Sequence, residues 1–99
     1  MTPTYTLLLQ DFDAYLKLEK GLSDNTRQSY HDDVCKLIGF VEAENLLLKE
    51  VTLSHLHTFV ASLLDLGIAV TTRSRIISGI KSFFHFLMEE QHIAVNPTT

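Results

Sequence analysis

Apolar residues recur at the three-and-four spacing of an amphipathic helix in four stretches of this chain, and no stretch alternates convincingly like a strand. Residues that favour helix starts and helix ends separate the stretches: Gly21, Ser23, Asn45, Thr52 and Gly67. The fourth stretch begins near residues 69–72 and runs to about Gln91. A chain of 99 residues usually has one hydrophobic core. The pattern therefore predicts an all-α, compact four-helix domain.

The composition is that of a globular domain, since 45% of the residues are hydrophobic and 20% are charged. Apolar runs such as residues 46–48 are far shorter than the roughly 20 residues needed to cross a bilayer. The first ten residues place no Lys or Arg ahead of their apolar residues, so they do not resemble a secretory signal. We therefore expect a cytoplasmic protein with no membrane partner.

The charge of the chain is unevenly distributed. Eight basic and twelve acidic residues give a formal net charge of −4, which by itself argues against a polyanionic partner. Residues 66–88, however, contain Arg73, Arg75 and Lys81 and no acid. The fourth helical stretch is therefore locally cationic.

The fourth stretch also has an unusual exposed face. At 100° per residue its apolar side leaves a polar side that we call the hydroxyl face, made of Thr71, Ser74, Arg75, Ser78, Ser82 and His85. Ser and Thr are poorer helix formers than the Glu, Lys and Gln that usually cover a solvated face. Small hydroxyls allow close approach and donate hydrogen bonds, so this face suits a phosphodiester backbone. A merely solvated surface is the simpler alternative.

The second stretch begins with seven polar residues, 23–29, before its apolar side starts at Tyr30. Asn25, Gln28 and Ser29 point away from the core, and the free N–H groups of a helix start favour an anion. Asn and Gln also suit the edges of bases. Asp24 in the first turn opposes this interpretation, since it would repel a phosphate.

Two segments, together with Asn96-Pro97, carry a resemblance to a known family. The first runs Gly-Leu-Ser-Asp-Asn-Thr-Arg-Gln-Ser-Tyr over residues 21–30, and the second runs Arg-Ile-Ile-Ser-Gly-Ile-Lys-Ser-Phe-Phe-His-Phe-Leu over 75–87. The chain resembles the N-terminal core-binding domain of tyrosine recombinases of the Xer and phage-integrase type. The resemblance implies two crossed helical hairpins that form half of a C-shaped clamp on double-stranded DNA, with the second and fourth helices against the major groove.

The resemblance also implies which residues contact DNA. Thr26 takes the position of a phosphate-contacting threonine, and Lys81 takes that of a commonly basic residue. Ala69 departs from the family pattern, where Ser often caps the fourth helix. By helical spacing Arg27 and Arg73 fall on the core side, so their side chains must extend past the end of the apolar stripe. The candidate DNA-binding set is Asn25, Thr26, Arg27, Gln28, Ser29, Thr71, Thr72, Arg73, Arg75, Ser78 and Lys81.

The catalytic residues of the resembled family belong to a domain that would follow Pro97. We therefore expect no catalytic residue and no enzyme activity in this chain. Residues 1–95 are expected to form the core-binding domain, and 96–99 the start of a linker to an absent catalytic domain. The expected partners are DNA, that catalytic domain and, at full length, other recombinase protomers.

No cofactor or metal site is expected. His55 and His57 are two residues apart, which points them about 200° away from each other on a helix, and the single cysteine, Cys35, forms no internal disulfide. Tyr15 and Tyr30 lie in apolar stripes and are interpreted as core residues rather than nucleophiles. One alternative function is a helical protein–protein interaction domain without DNA binding, suggested by Leu7, Leu18 and Phe86, which lie beside the main stripes.

Overall fold

The computed structural model describes residues 2–99, which form four α-helices and no strand. The helices are α1 (Pro3–Leu18), α2 (Asp24–Ala43), α3 (Leu53–Asp65) and α4 (Val70–Glu89), and one 3₁₀ turn (Leu48–Glu50) lies between α2 and α3. The all-α, four-helix fold predicted from the apolar spacing is confirmed. Among the described residues, no helix is both long enough and apolar enough to cross a membrane.

Side chains close the starts of three helices. The hydroxyl of Thr2 accepts a hydrogen bond from the Tyr5 amide, and Ser23 accepts one from the amide of Thr26. At α3, Thr52 accepts from the His55 amide while His55 Nδ1 accepts from the Thr52 amide, a reciprocal cap. Ala69, before α4, has no side chain that can do this. The fourth helix therefore starts without a side-chain cap.

Left-handed residues follow the helix ends where the sequence predicts them. Gly21 has a φ of 64° and Gly67 a φ of 76°, a region that costs little for glycine. Asn45 after α2 and Gln91 after α4 adopt the same conformation with φ of 55° and 60°. The amide of Ile68 then bonds back to the Leu63 carbonyl at 3.2 Å, which closes the end of α3.

The helices form two sequential pairs that pack together. In the first pair α1 contacts α2, in the second α3 contacts α4, and the most extensive contact joins α2 to α4 across the pairs. The core lies between these helices. Its fully buried aliphatic and aromatic side chains on α2 and α4 are Val34, Leu37, Ile38, Val41, Ile76, Phe83, Phe84, Phe86 and Leu87.

An aromatic cluster ties α1 to α4. The Phe12 ring lies 5.2 Å from that of Phe83 and 5.4 Å from that of Phe86, and Tyr15 lies 5.3 Å from Phe86. Phe86 does not lie beside the apolar stripe, as its spacing predicted, but is buried in the core, so it does not support a protein-interaction surface. α1 covers the ring, and His92 packs at 6.1 Å beyond it.

Candidate nucleic-acid interface

The hydroxyl face of α4 is exposed along most of its length. Thr71, Ser74, Arg75 and Ser78 are exposed, as the helical spacing predicts, and so is His85. Ser82 is half-buried. The opposite side of α4 supplies the core residues, so this orientation follows directly from burial of the apolar stripe.

Arg75 on this face is bound to a buried acid on α2. Its Nη2 donates to Asp33 Oδ1 at 2.8 Å and its Nε donates to Asp33 Oδ2 at 3.2 Å. The Asp33 side chain is 0% exposed, whereas that of Arg75 is 46% exposed. These hydrogen bonds, together with the charge of Asp33, raise the pKa of Arg75 above its already high ordinary value. The pair therefore joins the core of the α2–α4 contact to its outer surface.

Gly79 lies one turn after Arg75 on α4 and is buried against the same acid. A β-carbon at this position would lie 3.5 Å from Asp33 Oδ2 and 3.6 Å from Tyr30 Cδ1. α4 therefore packs close to the Asp33 carboxylate at Gly79 and contributes to its burial. Tyr30 packs in the same contact, consistent with its interpretation as a core residue.

The start of α2 presents a mixed surface. Asn25 and Gln28 are exposed, while Thr26 and Ser29 are half-buried. Gln28 donates to Asp32 Oδ1 at 3.0 Å, and the hydroxyl of Ser23 donates to that of Thr26 at 3.0 Å. The polar side chains at this helix start therefore hold one another in place.

Arg27 has a structural environment that its sequence position did not reveal. Only 13% of its side chain is exposed, and its Nε donates to Asp13 at 2.9 Å and its Nη2 to Asp24 at 2.7 Å. Nη1 donates to the Leu22 carbonyl at 2.8 Å. The bond to Asp13 is the main cause that raises the pKa of Arg27. Arg27 therefore fastens the start of α2 to α1, and Asp24 is neutralised by it.

Arg73 occupies the equivalent place in α4. Its Nη1 donates to the Ile68 carbonyl at 2.8 Å, as Arg27 does to Leu22, so each arginine holds the loop residue five positions before it. Arg73 and Thr72 are half-buried, and Lys81 is exposed. Arg73 and Lys81 also line an open, largely apolar groove of about 660 Å³ between α3 and α4. The side chains of both arginines thus extend past the end of the apolar stripe toward the preceding loop, as their spacing predicted.

Three of the five histidines have polar side-chain or backbone partners. His55 completes the cap of α3, and His85 lies 2.9 Å from Glu89 one turn later. His31 Nε2 lies 3.5 Å from the Cys35 sulfur. Across residues 2–99 no group of three His, Cys, Asp or Glu side chains is placed to hold a metal ion.

Comparison with known proteins places this arrangement in a family. The family model described as the phage integrase, N-terminal SAM-like domain, matches residues 9–91, which include α2, α3, α4 and the second half of α1. The chain belongs to this family. No solved structure matches the chain significantly.

Relatives of this SAM-like domain are recombinases. A tyrosine recombinase XerD of Pseudomonas putida is 35% identical over 91 residues, which cover 92% of this chain and 30% of that protein. A tyrosine recombinase XerC of Staphylococcus carnosus is 36% identical over 88 residues, 89% of this chain and 30% of that protein. A XerD of Vibrio vulnificus is 33% identical and is covered to 34%. The chain thus spans about a third of the length of these relatives.

The most informative residue of this SAM-like domain, Asp33, was missed by the sequence reasoning. The sequence did contain a sign of its burial, because Asp33 belongs to the apolar stripe of α2, together with Tyr30, Val34 and Leu37. An acid in such a stripe needs a buried or half-buried cation, and Arg75 supplies it. The spacing of residues along α2 does not indicate which other helix carries the basic residue that pairs with Asp33.

Proposed function

We propose that this domain binds duplex DNA through the hydroxyl face of α4 and the adjoining start of α2, and so positions DNA for a catalytic domain elsewhere in a tyrosine recombinase. One observation carries the proposal: the exposed face of α4 from Thr71 to Ser78 offers small hydroxyls and Arg75, and the acid next to it, Asp33, is buried and paired. Small hydroxyls and an arginine are groups that contact phosphates directly and at short distance.

The start of α2 adjoins this face by helical geometry. Asp33 contacts α4 at Arg75 and Gly79, and Ser29 and Thr26 lie one and two turns before Asp33 on the same side of α2. The exposed Asn25 and Gln28 lie in the same first turns and carry amides suited to base edges. Arg27 and Arg73 hold the loops before α2 and α4 through hydrogen bonds to loop carbonyls. Lys81 adds a positive charge further along α4.

The remaining parts of the proposal concern the whole protein. We propose that residues 1–95 form the DNA-binding domain and that 96–99 begin a linker to a catalytic part, in keeping with the relatives' name, tyrosine recombinase. This chain itself supplies no catalytic residue. The protein acts in the cytoplasm, on chromosomal or mobile DNA, and assembles with other protomers.

The test is a titration of the chain with a labelled duplex of about 30 base pairs, three helical turns. The Ser78→Glu/Lys81→Glu variant places one acid on the hydroxyl face and another beside it, and is expected to weaken binding at least about tenfold. Lys17→Glu, an exposed charge reversal on α1, is the control for a change in net charge and is expected to change affinity less than about twofold. Unchanged affinity in the double variant, or equal loss in the control, would refute the assignment of this face.

Salt dependence gives an independent measure. With about three to five phosphate contacts, the slope of log K against log salt is expected to lie near −3 to −4.5. A slope near zero for the wild-type chain contradicts a DNA-backbone interface.

Exposed leucines on α1 favour a second candidate, a helical protein-interaction domain. Leu7 is 62% exposed and Leu18 is 79% exposed, with no helix of the described chain covering them. This candidate predicts self-association or partner binding that is insensitive to DNA and is abolished by Leu7→Ser/Leu18→Ser. Sedimentation with and without the duplex separates the two candidates.

A further inference from the structure

We propose that Asp33 is a positioning residue for DNA binding: it fixes the guanidinium of Arg75 so that the donors left free point out of the α2–α4 contact toward a phosphate. This inference rests on the proposed function and assigns a role within it to an acid that does not itself reach the surface. The role follows from the geometry of the ion pair and from the contrast in burial of its two members.

The geometry uses one edge of the guanidinium. Asp33 accepts from Nε and from one N–H of Nη2, in a bidentate arrangement with N···O distances of 3.2 and 2.8 Å. A guanidinium has five N–H donors, so both N–H groups of Nη1 and the second one of Nη2 remain. No other residue of the described range 2–99 accepts a hydrogen bond from Arg75. The free edge is thus the one facing away from the buried carboxylate.

The two members of the ion pair differ in burial, so the Asp33 carboxylate is held in place while the Arg75 guanidinium is accessible from solvent. Asp33 is completely buried, with Gly79 of α4 beside it, and both of its carboxylate oxygens accept from Arg75, so packing and hydrogen bonds restrict its rotation. Arg75 is about half exposed. An arginine with no side-chain partner loses much rotamer freedom when it binds a phosphate. An arginine already hydrogen-bonded to a buried acid has lost that freedom on folding, so binding costs it less entropy.

Charge alone predicts the opposite effect of removing Asp33, and this makes the inference testable. An acid beside a DNA surface repels phosphates, so neutralising it should strengthen binding on electrostatic grounds. If Asp33 instead positions Arg75, then Asp33→Asn weakens binding although the net charge becomes more favourable. The neighbouring Asp32, exposed and bonded to Gln28 rather than to Arg75, is the matched control.

The experiment measures duplex affinity for Asp33→Asn, Asp32→Asn, Arg75→Lys and the double variant Asp33→Asn/Arg75→Lys. We expect about a tenfold loss for Asp33→Asn, no loss or a gain for Asp32→Asn, and a loss for Arg75→Lys, since lysine lacks the planar fork. The double variant is expected to bind no worse than Arg75→Lys, because both changes remove one interaction. Equal or stronger binding by Asp33→Asn, or additive losses in the double variant, overturns the inference.

A second measurement on the wild-type chain covers the case in which Asp33→Asn does not fold. In a chain labelled with ¹⁵N-arginine, the side-chain Nη1 signal of Arg75 is expected to shift on addition of the duplex while the Nε signal stays in place. If backbone amides of residues 25–29 and 71–78 shift and the Arg75 side chain does not, the positioning role is refuted and the DNA interface stands. If none of these signals shifts, the proposed function fails and the inference fails with it.

Discussion

Asp33 is a carboxylate that this small domain keeps completely out of water, and Arg75 is the partner that makes this tolerable. A buried charge left without its counter-ion is strongly destabilising, while replacing the whole pair by apolar groups is often neutral. The two residues are 42 positions apart, so the pair also links α2 to α4 over a long stretch of chain.

Removing only the cation should therefore destabilise the domain. We expect Arg75→Ala to lower the free energy of unfolding by about 2 kcal/mol, less than for a fully buried pair because Arg75 is half exposed. Urea denaturation followed by circular dichroism measures the loss. In the Asp33→Leu/Arg75→Met double variant most of the loss should be recovered, and a double variant as unstable as Arg75→Ala would show that the buried charge is not its cause.

Cys35 gives the domain a dependence on alkaline pH. Burial, and secondarily the charge of Asp32, raise the pKa of the Cys35 thiol in the folded chain. As pH rises through the ordinary thiol range near about 8.5, the unfolded chain loses this proton before the folded chain does, so unfolding becomes more favourable. We expect the free energy of unfolding to fall between about pH 7.5 and pH 9.5.

The control for this pH effect is Cys35→Ala, which removes the thiol. Its free energy of unfolding should fall less over the same interval, with the remaining decrease coming from Tyr5 and Tyr15, whose pKa values are also raised by burial. Identical pH profiles for the two proteins would refute the assignment to Cys35.

At the scale of single helices, α4 differs from its neighbours in how it begins. The caps of α1, α2 and α3 come from Thr2, Ser23 and Thr52, whereas Ala69 leaves the first amides of α4 without a side-chain acceptor. The hydroxyl face adds residues of low helix propensity to the same helix. α4 therefore has less local stability than its length suggests, and the α2–α4 packing stabilises it.

A hydroxyl side chain at position 69 should supply the missing N-terminal cap of α4. We expect Ala69→Ser to raise the free energy of unfolding by about 1 kcal/mol, because the Ser oxygen can accept from an amide in the first turn. Val70→Ser, one residue inside the helix and exposed, is the control and should bring no gain. Denaturation curves for the two variants decide the matter, and a gain in both would mean that the cap is not responsible.

The whole molecule has a radius of gyration of 12.9 Å, close to the roughly 13 Å expected for one compact domain of this length. The first residues after α4, as far as Ile93, are part of that unit. Ile93 is buried in the core, and His92 packs on Phe86, while Asn96 accepts hydrogen bonds from the amide and hydroxyl of Thr98.

Shortening Ile93 should therefore affect the stability of the entire domain. We expect Ile93→Ala to lower the free energy of unfolding by about 2 kcal/mol, the lower end for a buried aliphatic residue because it lies at the edge of the core. Val95→Ala, two residues later and 77% exposed, should change it by less than about 0.5 kcal/mol. Equal effects at both positions, measured by thermal denaturation, would place the edge of the domain before Ile93.

The amino-acid sequence by itself determined the local features of this protein. Its apolar spacing predicted four helices and the exposed hydroxyl face, and Gly21, Gly67, Ser23 and Thr52 marked ends and starts at the residues where the structure has them. These features follow from bonds and burial within a few residues of each other, so a linear pattern is sufficient to find them.

Only the tertiary structure decided which side chains meet between helices. The pairing of Asp33 with Arg75, the contact of Arg27 with Asp13 and the burial of Phe86 against Phe12 all join residues far apart in the chain. Each depends on which helices pack together and at what rotation about their axes. A periodic pattern predicts which side of each helix is buried, but it does not predict which other helix packs against that side.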